Sequence, residues 1–154
     1  MPGFMDITSE PSLLKVTAGL NDFAFQLKSF KEPLKRSIQQ VLAPAIKANF
    51  DDGEFEPLAD TTVYWKDLHG ASDPAAPLIF TGKLRRIASQ LNAWVIDGPG
   101  GEARLANVPG YGRYSADGTV NEPQRDWLQF DSRHVDACAE VFATWMMERM
   151  ARAL

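Results

Sequence analysis

The apolar residues between positions 23 and 50 constrain the fold more than any other feature of this chain. Phe23, Leu27, Phe30, Leu34, Ile38, Val41, Leu42, Ala45, Ile46 and Phe50 recur at steps of three and four, the spacing that lines one face of a long α-helix. Two prolines interrupt this stripe. Pro33 lacks an N–H and has a φ already near the helical value, so it predicts a new helix with Pro33 in its first turn. Pro44 lies inside the stripe and predicts a kink or a loosening of the last turns. Asp51, Asp52 and Gly53 then end the helix.

Other segments are shorter. Leu13, Leu14, Val16 and Leu20 are compatible with a strand, although the pattern is ambiguous at this length. "DDGEFEPLADTTVYWKDLHGASDPAAP" reads as an exposed connector containing a short helical turn that Asp60 or Thr61 would cap. Thr81 stands where it would cap a helix carrying Leu84, Ile87 and Leu91 on one side. "AWVID", "GPGG" and "EARLANV" predict a hairpin with Trp94 and Ile96 on one face and Leu105 near them on the partner strand. "PGYGRYSADGTVNEPQRD" reads as loop. From Ser132 onward, Val135, Cys138, Val141, Phe142, Trp145, Met146 and Met150 predict a C-terminal amphipathic helix capped by Asp131 or Ser132.

Strands and helices do not alternate as a parallel sheet requires. The expected fold class is therefore α+β, a single domain over residues 1–154. It comprises a long N-terminal helix, short helices, a small antiparallel hairpin and a C-terminal amphipathic helix.

Composition narrows the chemistry. Cys138 is the only cysteine, so an internal disulfide is excluded, and with only His69 and His134 beside it a structural zinc site lacks soft ligands. The formal charge of -4 argues against general adhesion to nucleic acid, which draws on Lys and Arg neutralising phosphates. Lys28, Lys31, Lys35 and Arg36, and Lys83, Arg85 and Arg86, read as solvated helix faces. No apolar run approaches the roughly 18 residues that cross a bilayer, and "MPGFMDITSEPSLLK" lacks the basic and apolar regions of a leader. The expectation is folding in a cytoplasm without membrane contact.

"PLIFTGKLRRIASQL" imitates a phosphate loop, with Gly82-Lys83 between an apolar run and a helix. The imitation fails on chemistry. Where the loop needs a glycine it has Pro77, and where it needs a magnesium-binding hydroxyl it has Leu84. His69 reads as a loop residue and His134 as part of the last helix's first turn, neither with a partner motif. Cys138 lies on an apolar stripe, where a small hydrophobe is expected. Asp51, Asp52, Glu54, Glu56 and Asp60 are the densest acidic stretch but lack calcium-loop spacing. Trp127 reads as core or as an interface anchor, and Arg125 as an exposed neighbour suited to a binding hot spot. No catalytic, cofactor or metal constellation is expected.

Three stretches in order resemble the tail-completion or virion-morphogenesis proteins of Mu-like and related tailed phages. Phe50, a glycine, an aromatic, Pro57-Leu58, Thr61 or Thr62, and Lys66 match that family's first signature. Leu78, Thr81-Gly82 and Leu84 match its second, and Pro123, Arg125, Trp127 and Leu128 its third. The resemblance spans about residues 30–150. Phe55 stands where a tryptophan is usual, and "YGRYSADG" replaces a His-Gln-Phe-Gly-like element. The resemblance implies a non-enzymatic assembly protein of the virion's tail or neck, acting at the head-proximal end of the tail, in a ring of copies. Its implied partners are other tail or head-tail connector proteins, and DNA passing through a lumen without sequence-specific binding. A small enzyme or ligand-binding protein with an unrecognised site is the competing reading.

Overall fold

The computed structural model describes residues 13–79, 81–118 and 123–153. The N-terminal stretch read above for a leader lies almost wholly outside them. Helix α1 (Leu13–Gln26) occupies the run that was compatible with a strand. It packs along the C-terminal helix α7 (Ser132–Ala153), so tertiary contact decides between the two states the short pattern allowed.

After a break at residues 27–30 the chain forms α2 (Lys31–Ser37), a π-helical turn (Ile38–Leu42) and α3 (Ala43–Asp52) without interruption. Pro33 is in the first turn of α2, as expected. Pro44 produces the π turn. In α register its missing N–H would leave the Gln40 carbonyl without a donor and its ring against that carbonyl. Instead the backbone widens and the Ala43 N–H donates to the Ile38 carbonyl, five residues back. Gln40 and Pro44 are both exposed, so water can take the freed carbonyl. The extra residue turns everything after it by about 100° relative to an uninterrupted helix. Accordingly, α2 packs on α7, whereas α3 packs on α5 (Lys83–Ala88).

Helix α4 (Asp60–Leu68) follows an extended stretch. Its N-cap position holds Ala59, with no side-chain cap, and Asp60 and Thr61 lie inside the first turn. The expected cap at Asp60 or Thr61 is therefore corrected. So is that at Thr81. Gly82 takes the N-cap position of α5 at φ 70°, a left-handed conformation that suits glycine, and no side chain caps the helix. Thr81 lies one residue too early and is exposed. The Asp131 cap does form: its Oδ1 accepts from the N–H groups of Arg133 at 3.0 Å and His134 at 3.3 Å.

Strands β1 (Trp94–Asp97) and β2 (Glu102–Leu105) pair antiparallel, with Trp94 opposite Leu105 and Ile96 opposite Ala103, in the expected register. The hairpin turn rests against the start of α2, where the Phe30 N–H donates to the Gly98 carbonyl at 2.8 Å. The stretch read as loop contains α6 (Tyr111–Asp117). Gly112 and Ala116, one turn apart, both face inward. A Cβ on Gly112 would come within 2.7 Å of the Leu84 Cδ1 methyl, so the glycine eases the approach of α6 to the core despite a polar composition.

The main core gathers Ile46, Phe50, Leu84, Ala88, Ala116 and Trp127, with Phe55, Leu78, Trp94, Leu105, Val108 and Leu128 against it. Trp127 is a core residue, 1% exposed, its ring 5.2 Å from that of Phe50. Its indole N–H donates to the Gly112 carbonyl at 3.1 Å. Asn49 on α3 fixes the backbone on either side, donating to the carbonyls of Trp127 at 3.1 Å and Gln129 at 2.8 Å. Arg85 ties α5 to the end of α3 through a two-pronged contact with Asp51, at 2.7 and 2.6 Å. This pair is partly exposed, so it contributes at most about 1 kcal/mol. The guanidinium holds the Asp51 carboxyl below its ordinary 3.8, so that contribution is complete above this value and is lost as the pH falls below it.

Two expectations follow for stability in urea. Trp127→Ala should lose about 3–5 kcal/mol through the cavity and the unmatched Gly112 carbonyl, with Trp127→Phe losing less. Thr81→Ala should change stability by less than about 0.5 kcal/mol, while Gly82→Ala should cost about 1 kcal/mol through its positive φ. A Thr81→Ala loss larger than that of Gly82→Ala would reinstate the threonine as the cap.

Candidate functional site

The stretch between α3 and α4, the stretch before α5, the start of α6 and the segment entering Trp127 surround one groove of about 590 Å³. Its walls mix apolar and polar groups: Pro57 and Leu58 before α4, Pro77, Leu78 and Ile79 before α5, Leu84 on α5 and Pro123 are the apolar part, with Glu56 and Thr62 beside them. Tyr111 of α6 and Trp65 of α4 stand at its edge, both about half exposed. Tyr64 and Leu68, also on α4, extend the exposed apolar surface.

Two cations line the groove. Lys66 is 6% exposed and Arg125 is 9% exposed, which corrects the expectation that Arg125 is a surface residue. Lys66 projects from α4 under the following loop, where its Nζ donates to the carbonyls of Ala76 at 2.6 Å and Asp73 at 3.3 Å. Burial pushes its pKa below the ordinary 10.5; the Asp73 carboxylate opposes that shift and the Arg125 charge adds to it. Among the described residues, Arg125 reaches the Glu56 carbonyl, through Nε and Nη2 at 3.4 Å each. These distances lie beyond the usual range for such bonds.

The residues singled out from sequence separate into two layers. Pro57, Leu58, Lys66, Leu84 and Arg125 line the groove. Phe50 and Trp127 form the core behind it, and Leu128 packs against that core. Thr61 and Thr81 are exposed and do not line it; in the first signature it is Thr62 that does. Gly82 shapes the entry to α5. Sequence reasoning passed over Asn49, Trp65 and Ile79. The adjacent aromatics of "TVYWKDL" on so short a helix were a usable signal for Trp65, whereas nothing in the sequence distinguished Asn49.

The remaining candidates are accounted for locally. His69 is the C-cap of α4 rather than a loop residue: its ring stacks on Trp65 at 4.1 Å and Nδ1 donates to the Trp65 carbonyl at 2.7 Å. His134 returns the Asp131 cap by accepting from the Asp131 N–H at 3.1 Å. Burial pushes the Cys138 thiol up, away from thiolate reactivity. Among the described residues, no group of three or more His, Cys, Asp or Glu side chains is placed to hold a metal ion, and no helix is long and apolar enough to cross a membrane.

Comparison with known proteins adds no relative: no family model, no curated protein and no solved structure matches this chain.

Proposed function

We propose that this chain is a structural assembly protein of a tailed-phage virion, a ring-forming component that completes the head-proximal end of the tail or joins it to the head. One observation carries the reading. Residues of the three separate stretches that resemble the phage family, Pro57, Leu58 and Lys66, then Leu78 and Leu84, then Pro123 and Arg125, line a single groove. Motif residues scattered over such a length have a shared reason to exist if that groove is a contact surface.

The surface chemistry supports association rather than turnover. Trp, Tyr and Arg are the side chains that dominate binding hot spots, and Trp65, Tyr64, Tyr111 and Arg125 are in or beside the groove. Ring contacts are head to tail and join two different surfaces of neighbouring copies, apart from the groove; the exposed apolar residues Val135, Met147 and Met150 of α7 offer one of them. Asp52, Glu54 and Glu56, exposed at the end of α3 and after it, would repel phosphates if they lined a lumen, letting DNA pass without sticking.

Negative-stain microscopy and mass photometry of the purified protein test this. The expected result is a closed ring, retained when His69, His134 and Cys138 are replaced together by Ala, Ala and Ser, with no rise in melting temperature on adding Mg-ATP. A protein that remains monomeric alone and on purified tails, or a ligand-dependent activity abolished by the triple replacement, would overturn the reading.

A further inference from the structure

The only charged side chains buried among the described residues are Lys66 and Arg125, and they face the same groove. Among the described residues, neither forms a salt bridge. Four other arginines are paired: Arg36 with Glu32 and Glu148, Arg85 with Asp51, Arg104 with Glu102 and Arg133 with Asp131. All of those pairs are partly or fully solvated. The Asp73 carboxylate is close enough to Lys66 to favour its charge, and Glu56 lines the same groove, but among the described residues no carboxylate forms a salt bridge with Arg125. Lys66 is at least held by two carbonyls, but the guanidinium of Arg125, with five N–H donors, has one distant carbonyl among the described residues. A charge buried in this way is costly unless a counter-charge arrives.

We propose that the groove is a socket for a segment of another protein that presents an Asp or Glu between apolar residues, its carboxylate reaching Arg125 and Lys66. The inference rests on the assembly reading in taking the occupant to be a protein. The surroundings define its chemistry. Leu58, Leu78 and Ile79 form apolar walls that a bare phosphate would leave uncovered, and a nucleic-acid backbone calls for a spread of exposed cations rather than two sunken ones. An arginine fork matches a carboxylate in two-pronged geometry, and an apolar neighbour of that carboxylate would fill the groove beside it. Among the described residues a second copy of this chain offers a poorer fit, because the acidic-apolar stretches at 54–56 and 126–128 are already packed into its own core through Phe55 and Trp127.

The test titrates the full chain with the peptide acetyl-Leu-Glu-Leu-Glu-amide and with its glutamine twin. Binding is read by NMR at the Trp65 indole N–H and the Arg125 Nε–H. The acidic peptide should bind about 30-fold more tightly, the worth of one hot-spot arginine. Arg125→Met should abolish that preference while melting at or above the temperature of the unaltered chain, because an unmatched buried charge has been removed. A merely structural arginine would instead give a lower melting temperature and an intact preference. Should Arg125→Met fail to fold, Trp65→Ala at the exposed edge is expected to keep the fold and weaken the acidic peptide. Equal affinity for the two peptides, no binding of either, or preferential binding of inorganic phosphate or a DNA oligonucleotide would each overturn the socket. Self-association that Arg125→Met abolishes would assign the groove to a second copy and overturn it equally. A ring without peptide binding sinks this inference alone, and peptide binding by a monomer sinks only the ring.

Discussion

Burial of the Trp127 indole joins α3 to α6 at the centre of the main core. The segment that carries it has neither helix nor strand to hold it, so its position depends on one large side chain wedged between Phe50 of α3 and Gly112 of α6. The hydrophobic gain from such a ring exceeds that of any other side chain in the core. Its direction comes from polar contacts: the indole N–H on one side and the Asn49 amide spanning two carbonyls on the other. Take these away and Arg125, two residues upstream, has no defined place. The groove is thus a by-product of how the core is closed.

That coupling explains why the groove combines apolar walls with buried charge. Leu84 belongs both to the core and to the groove wall, so a change that loosens the core also reshapes the surface. Lys66 works the other way, since its ammonium organises the loop through Asp73 and Ala76 from inside the groove. Preorganisation of this sort lowers the ordering cost of binding, because the side chains that would meet a partner are already fixed.

Much of the fold was legible because it follows from backbone periodicity. The stripe from Leu34 to Phe50, the hairpin around "GPGG" and the C-terminal helix declare themselves through spacing and turn residues alone, whereas Phe23 belongs to α1 and the helical run breaks at residues 27–30. The failures have specific causes. Thr81 looked like a cap because its hydroxyl suits the role, but Gly82 adopts a backbone angle that makes it the boundary residue instead. Helix α6 has little apolar periodicity of its own, and Gly112 eases its approach to Leu84. Helix α1 is fixed by α7, far away in sequence. For the groove, Pro57, Leu58, Lys66, Leu84 and Arg125 had been singled out from separate stretches, but their convergence was not legible. Nor was the burial of Arg125, which depends on four segments meeting.

The π turn ahead of Pro44 gives the long central helix two addresses. Before the turn its apolar side chains look toward α7, and after it they look toward α5 and Trp127. A single rod thereby serves two packing environments that a regular helix of the same length would have met with one continuous face. The arrangement is also a matter of phase: the count of residues between Pro33 and Phe50 sets the angle between the terminal-helix layer and the groove-bearing layer. Losing one residue there would leave each layer intact on its own and aim them at the wrong sides of the helix.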